Sequence, residues 1–261
     1  MDNQRYLTEI LRYYDNAYHL ETDIVIKELS LSLIINGYRF TTLACLDNQL
    51  KELGIGFLFS EGLLTKASDI KEVNLCDKRT RLEIDTNIKT RDLEKYLSKM
   101  EQTTGCGGGI SGELSSNDKR PFQKISLDLS LIPDLMFNFQ QQSILFKETG
   151  GVHSAALGIK DNLVFFAEDI GRHNAVDKVI GAAMFNNKNM SDYYLLISGR
   201  ISSEIVRKVI RLRIPLIISQ AAPTSKAISL AWQNGIYLIG FARGKRFNVY
   251  TGLNEIKKQR L

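Results

Sequence analysis

The apolar positions of this chain change rhythm near its middle. From residue 24 to 45, "IVIKELSLSLIINGYRFTTLAC" alternates apolar and polar side chains on either side of Asn36-Gly37. That dipeptide favours a type I′ turn, so the stretch predicts two β-strands joined as a hairpin. "DNQLKELGIGFLFSEGLL" then moves to helical spacing, predicting a helix from about Asp47 with Leu50, Leu53, Phe57 and Leu58 in its apolar set. "RLEIDTNI" (81–88) alternates again as a strand, and "RDLEKYLSKM" predicts a short helix. Residues 1–102 therefore read as a small α+β unit.

Residues 103–125 break the pattern. "TTGCGGGISG" and the polar "SGELSSNDKRPF" show no apolar period and predict a loop or linker. Beyond it, strands and helices alternate. "NLVFFAE" (162–168), "YYLLIS", "IPLIIS" and "IYLIGFA" read as strands. Between them lie three helices. The first spans 174–185 with Val176, Val179, Ile180 and Ala183 on one face. "SSEIVRKVIRLR" is the second, capped by Ser202 or Ser203 with Glu204 in its first turn. "TSKAISLAWQNG" is the third, closed by Gly235. Such alternation over residues 126–261 predicts an α/β unit built on a parallel sheet.

Composition narrows the function classes. With 261 residues, 44% hydrophobic and 24% charged, the chain has the profile of a globular protein with a sizeable core. No apolar run approaches the ~20 residues that cross a bilayer, and "MDNQRYLTEILRYYDN" lacks the apolar segment of a signal peptide. A cytoplasmic protein without a membrane partner is expected. The net charge of +5 and pI of about 9.0 favour an acidic ligand. Nucleic acid is not indicated, since no aromatic platform or recognition motif accompanies the charge. Three cysteines, Cys45, Cys76 and Cys106, are too dispersed for a disulfide framework. Cys45 and Cys76 lie in apolar runs and read as core residues.

The polar residues of the second half fall at regular places. "EDIGRHN" (168–174), "SGRISS" (198–203), "SQAAPTSK" (219–226) and "FARGKRFN" (241–248) each follow a predicted strand. In an open α/β sheet, ligands bind beyond the carboxyl ends of the strands. Three of these segments bring cations there: Arg172, Arg200, and the trio Arg243, Lys245 and Arg246. Helix N-termini near Ser202 and Thr224 add backbone N–H groups. Taken singly, SGR is a turn and cap, APTS a proline-assisted helix start, and RGKR a solvated charge run. Four of them at one sheet edge describe a site for phosphate or pyrophosphate. His153 and His173 suit hydrogen bonding to a base or phosphate, or acid–base assistance. No HxxxH, HxE or cysteine pair accompanies them, so no metal site is expected. Around Cys106 two readings stand: a flexible linker that contains a cysteine, or a thiol presented on a glycine arm for covalent group transfer.

"SEGLL", "GCGGG", "TGGVHSAAL", "EDIGRHNAVDKVIG", "SGRISSEIV", "APTSKAISLA" and "GFARGKRFNVYTG" stand in an order and spacing that resembles the FdhD family, the formate dehydrogenase accessory sulfurtransferases. The resemblance runs from about residue 20 to the C-terminus. It implies a cytidine-deaminase-like three-layer α/β domain without the deaminase zinc ligands, beside the smaller N-terminal unit. It also implies a sulfur carrier that takes persulfide sulfur from a cysteine desulfurase. The sulfur then passes to the molybdenum (or tungsten) bis-guanine-dinucleotide pterin cofactor, a bound substrate that guanine nucleotide would mimic, before insertion into formate dehydrogenase. Cys106 matches the family's persulfide cysteine, and Phe241, Ala242, Arg243, Gly244, Lys245 and Arg246 match its cofactor-binding segment. A homodimer is also implied. On this reading Arg172, Arg200, Arg243 and Arg246 meet phosphate and Asp169 meets a guanine or the dimer partner. His153, His173, Ser198, Gly199, Thr224 and Ser225 line the same site.

One departure matters. Many members carry C-G-x-C at the loop, whereas here it reads Cys106-Gly107-Gly108-Gly109. A second loop thiol is absent, so Cys106 persulfide either donates directly or needs an external reductant. A non-catalytic cofactor chaperone is the main competing function. A nucleoside deaminase is disfavoured by the missing H-x-E and P-C-x-x-C ligands.

Overall fold

The computed structural model describes residues 4–89, 91–94, 96, 120–122, 125 and 127–254. The chain opens on a hairpin that the sequence pattern did not reveal. Strands β1 (Arg5–Tyr14) and β2 (Ala17–Ile26) pair antiparallel around Asp15-Asn16, both at positive φ, and form a sheet of their own. The expected hairpin follows as β3 (Leu29–Ile35) and β4 (Tyr38–Cys45), and Asn36 and Gly37 both adopt the positive φ of its turn. β5 (Ile70–Leu75) and the expected β6 (Arg81–Thr86) complete a four-stranded sheet ordered β4-β3-β6-β5. A register shift between Ile70 and Glu72 disrupts the two-residue period of β5, which hid it in the sequence.

Helix α1 (Leu50–Ser60) is buried nearly all round, from Leu53 through Ser60 without a break. Such a helix belongs between two layers. One layer is the four-stranded sheet: a Cβ on Gly54 would fall 2.3 Å from Leu82 Cδ2. The other is α4 (Arg172–Phe185), and here the approach is reciprocal. A Cβ on Gly56 would meet the Asp177 carbonyl oxygen at 1.7 Å, and one on Gly181 the Glu52 carbonyl oxygen at 1.9 Å. Only glycines permit backbones this close.

The second half adds α2 (Ile132–Gln142) and α3 (Ile144–Thr149), then β7 (His153–Ile159) and β8 (Asn162–Asp169) ahead of α4. Next come β9 (Tyr194–Ile197), α5 (Ser203–Leu212), β10 (Leu216–Ser219), α6 (Ser225–Gln233), β11 (Tyr237–Arg243) and β12 (Arg246–Val249). Six strands form one sheet ordered β12-β11-β10-β9-β7-β8. The expected parallel pairing holds only for β9, β10 and β11. β7, β8 and β12 are antiparallel additions, because two-residue links at Lys160-Asp161 and Gly244-Lys245 allow a hairpin but no crossover.

Helix α2 covers one face of this sheet, packing Ile132, Leu135, Met136 and Phe139 with Ala156, Leu196, Ile218 and Ile239. Helices α4, α5 and α6 cover the other face. Their core joins Leu157, Leu195, Ile217 and Leu238 to Leu33, Leu53 and Leu82 of the first half in one continuous cluster. Burial on both faces explains why these strands read as unbroken apolar runs. No described helix is long and apolar enough to cross a membrane.

Candidate functional site

Strand direction decides what meets at the site. β9, β10 and β11 end together, β7 begins beside the end of β9, and β8 ends opposite the start of β7, pairing Asp169 with His153. The predicted segments therefore share one edge of the six-stranded sheet.

Its centre is built by Ser198 and Gly199. Ser198 Oγ accepts from the Ser154 N–H at 2.9 Å and lies 3.4 Å from His153 Nδ1. Gly199 leaves room that neighbours fill, with Arg172 Cδ 3.3 Å and His153 Nδ1 3.4 Å from where a Cβ would stand. The Gly199 carbonyl accepts from Ser219 Oγ at 2.7 Å, and Ser219 Oγ accepts from the Ala221 N–H at 2.9 Å. The loops after β9 and β10 also pair directly, Ile201 N–H donating to Ala222 and Thr224 N–H to Ile201.

Electrostatics favours an anion here. Arg172 Nε is buried and finds no hydrogen-bond partner among the described residues. Burial first, then the Arg172 charge, lowers the His153 pKa. Burial, then Lys208, Arg172 and His153 in that order, brings His173 to about 3. Both imidazoles are thus neutral at neutral pH. His173 Nε2 stands 3.1 Å from Glu204 Oε2, but it makes no hydrogen bond, and a neutral ring forms no ion pair. The desolvated, unpaired ring nitrogen describes the contact better than a salt bridge does.

The segment 241–246 forms the tip of the β11–β12 hairpin. Phe241 sits at φ 51, a strained conformation for an aromatic residue, where the register shifts between Gly240 and Arg243. Its ring, Arg243, Gly244, Lys245 and Arg246 are exposed, and Arg243 Nε donates to the Gln220 carbonyl at 2.7 Å. Arg200, Thr224 and Ser225 are exposed on neighbouring loops, and so is Lys226, a cation that the motif spacing did not single out.

Two expectations need correction. Asp169 is fully buried, so its carboxylate is not offered to a ligand or a partner. It accepts from the Leu46 N–H, Gly171 N–H and Asn174 Nδ2, and holds Lys178 Nζ at 2.6 Å. It fastens the first half of the chain to the edge of the large sheet. Ala242 turns its methyl into the core beside Ile239, so only its backbone faces the site edge. The N-termini of α5 and α6 each give one N–H to their own cap, Ile205 to Ser202 Oγ and Ala227 to Thr224 Oγ1, while a helix start leaves further N–H groups without an intrahelical partner.

A profile of the FdhD/NarQ family matches residues 26–257. The chain belongs to that family. It is 38% identical over 233 residues to a sulfur carrier protein FdhD of Wolinella succinogenes, covering 88% of this chain and 82% of that one. To the sulfur carrier protein FdhD of Bacillus pumilus it is 35% identical over 245 residues, covering 93% and 94%. In fold it is similar to the crystal structure of a candidate formate dehydrogenase accessory protein from Desulfotalea psychrophila. The TM-score is 0.77 at 24% identity, covering 95% of this chain and 97% of that one.

The FdhD motif SEGLL acquires a physical role. Ser60 and Glu61 end α1 beside a buried cation, Lys208 of α5, whose Nζ lies 2.8 Å from both Asp177 oxygens, 2.8 Å from Ser60 Oγ and 3.2 Å from Glu61 Oε1. Burial opposes this charge, yet Asp177 and Glu61 outweigh it and raise the ammonium pKa. Tyr96 OH donates to Glu61 at 3.0 Å. Nothing in the spacing of these residues announced the cluster. Among the described residues, no group of His, Cys, Asp and Glu could hold a metal ion.

Cys106 and the rest of the 103–119 stretch lie outside the described residues. Cys45 is buried, and burial, then Asp169, pushes its thiol up to about 12. Cys76 is not the core residue its run suggested. It is partly exposed at the β5–β6 turn, where the Arg81 and Thr80 backbone outweighs desolvation and lowers its pKa.

Proposed function

We propose that this chain carries sulfur on Cys106 from a cysteine desulfurase to the molybdenum (or tungsten) bis-guanine-dinucleotide pterin cofactor destined for formate dehydrogenase. The observation that carries the reading is the convergence of Arg172, His153 and Gly199 beside a hairpin tip bearing Arg243, Lys245 and Arg246. A substrate with two pyrophosphates and two guanines matches such an edge: guanidinium groups take phosphate oxygens in paired hydrogen bonds, and neutral imidazoles serve a base or phosphate without adding charge. The names of the relatives, sulfur carrier proteins, agree with this cargo. We read the larger sheet and its helix layers as a cytidine-deaminase-like domain in which the deaminase metal chemistry has given way to anion binding, and we place the protein in the cytoplasm.

In loading, the Cys106 thiolate attacks the outer sulfur of the desulfurase persulfide. A new S–S bond forms at Cys106, and the donor cysteine departs as thiolate. In delivery, a nucleophilic acceptor attacks the outer sulfur, its electron pair forming the new bond to sulfur while the S–S bond breaks and Cys106 leaves as thiolate, or an external thiol attacks the inner sulfur, forming a mixed disulfide and releasing hydrosulfide. Glycine at position 109 excludes a second loop thiol from either route. The edge residues hold the substrate while this happens.

Intact-mass measurement after incubation with a cysteine desulfurase and cysteine tests the proposal. A sulfur-sized gain that vanishes in Cys106→Ala is expected; no gain, or a gain that survives the substitution, overturns it. Gly109 also favours one alternative, a cofactor chaperone that moves no sulfur. In that case Cys106→Ala would support full formate dehydrogenase activity.

A further inference from the structure

Asp169 is locked inside the fold, but Glu204 also holds a carboxylate at the sheet edge. Helices α4 and α5 both start there, and Glu204 is the second residue of α5 as His173 is the second of α4. The Glu204 side chain is 36% exposed and stands 3.1 Å from His173 Nε2. That ring is neutral, with its pKa at about 3, and no hydrogen bond joins the two. Among the described residues Glu204 therefore pairs with no cation, although Arg172 adjoins His173 and Arg200 lies one turn of chain before α5. Arg172 Nε and His173 Nε2 are themselves buried and without a hydrogen-bond partner among the described residues.

A first-turn glutamate stabilises its own helix, which is reason enough for one at an ordinary position. Beside a phosphate site it works against the ligand, because a carboxylate repels phosphate oxygens. It has two acceptor oxygens and no donor, so its complement is a pair of N–H groups held side by side. The phosphates of the proposed substrate supply acceptors only. Its guanines supply the pair, a ring N–H next to the 2-amino group, and its pterins carry the same 2-amino-4-oxopyrimidine edge. We propose that Glu204 reads this edge, accepting from the ring N–H and the amino group together, and so sets the preference of the site among bases. The inference rests on the guanine-binding reading of this edge.

The surroundings keep Glu204 available for that task. A protonated His173 would hold the carboxylate in an ion pair and compete with the base; desolvation, Lys208 and Arg172 keep the proton off the ring. Adjacent loops bring the rest of a base site into line. Ile201 N–H donates to the Ala222 carbonyl and Phe241 N–H to the Ala221 carbonyl, so the start of α5 and the exposed Phe241 ring follow one another along the edge. A flat base is held by an aromatic face and by hydrogen bonds to its rim, and this edge has a residue for each contact.

Titration calorimetry of the full chain with guanosine, inosine and xanthosine diphosphates tests this. Inosine lacks the 2-amino group, and xanthosine carries an oxo group in its place. The wild type is expected to bind the guanosine diphosphate about tenfold tighter than either of the others. Glu204→Gln presents an amide that can donate to the xanthine oxo group, so its preference should invert toward xanthosine diphosphate. A glutamate that only stabilised its helix would change all three affinities alike. Pterin and lumazine differ in the same way at position 2 and form a second arm. Inversion among the nucleotides assigns Glu204 to the guanine of the substrate, and inversion confined to pterin and lumazine assigns it to the pterin. Glu204→Gln with the wild-type order in both series overturns the proposal. So does a wild type indifferent to the group at position 2, a result that holds even if Glu204→Gln misfolds. A wild type that binds no nucleotide and no pterin overturns the guanine-binding reading itself, and this assignment with it.

Discussion

Arg172 rests on Gly199. A Cβ placed on the glycine would stand 3.2 Å from Arg172 Cβ and 3.4 Å from His153 Nδ1. The contact holds one predicted anion-binding cation against the carboxyl end of β9. Gly199→Ala asks Arg172 to yield by a few tenths of an ångström, and Gly199→Val asks for more. The expected result is a graded, several-fold loss of guanine-nucleotide affinity by titration calorimetry, with a shift in thermal midpoint of only a few degrees. Equal affinity for all three proteins would remove Arg172 from the site.

The hairpin tip offers an independent test. Arg243→Ala and Arg246→Ala should each weaken guanine-nucleotide binding by about 1.5–3 kcal/mol, the range for hydrogen bonds to charged groups. The remaining affinity should depend less on salt. Binding that stays at the wild-type level in both variants rules the tip out as a phosphate contact.

His173 gives the fold a pH dependence whose sign can be worked out. Its folded pKa, about 3, lies below the ordinary histidine value of 6.5, so between these values the unfolded chain binds the extra proton. Stability is then complete above pH 6.5 and falls as pH drops toward 3. From about pH 7 to about pH 5.5 this one group should cost about 1 kcal/mol. Urea titrations at both pH values should show a smaller difference in His173→Gln; an undiminished difference would assign the effect elsewhere.

The Lys208 cluster should respond to broken pairing more than to loss of charge. Asp177→Ala leaves the ammonium buried with Glu61 as its remaining carboxylate partner, and should destabilise by about 3 kcal/mol. Replacing Lys208 by Met together with Asp177 by Leu should recover part of that loss in denaturant titrations. A double variant no more stable than Asp177→Ala would show that packing, not ionic pairing, sets the cost.

Much of this was legible in the sequence, and for identifiable reasons. The Asn36-Gly37 turn, the caps Ser202 and Thr224, and four of the six strands of the large sheet, β8 to β11, are local events, written in neighbouring residues. Placing Arg172, Ser198 and Arg243 at one edge needed only the rule that ligands gather where strands end; His153 joins them because antiparallel β7 begins there. The β1–β2 ribbon escaped notice because both its faces carry apolar residues, Leu7, Leu11 and Leu20 on one and Tyr6, Ile10, Tyr14 and Val25 on the other, which blurs the two-residue period, and its turn, Asp15-Asn16, lacks glycine. The helices α2 and α3 lie in a stretch with no flanking motif. Asp169 misled because a carboxylate among glycine, arginine and histidine resembles a ligand contact; only tertiary structure reveals that Leu46, Gly171, Asn174 and Lys178 already occupy it. Lys208 and Glu61 lie far apart in sequence, and no local period connects them.

The interlocked glycines of α1 and α4 also impose an order on synthesis. Helix α1, apolar on every side, has no second wall until the chain has been made as far as residue 185. At cellular elongation rates that delay is on the order of ten seconds, during which a hydrophobic helix is on the ribosome without its partner. A nascent chain stalled before α4 is thus expected to bind holdase chaperones and to release them once Gly181 has emerged, which ribosome-bound fragments of increasing length would reveal.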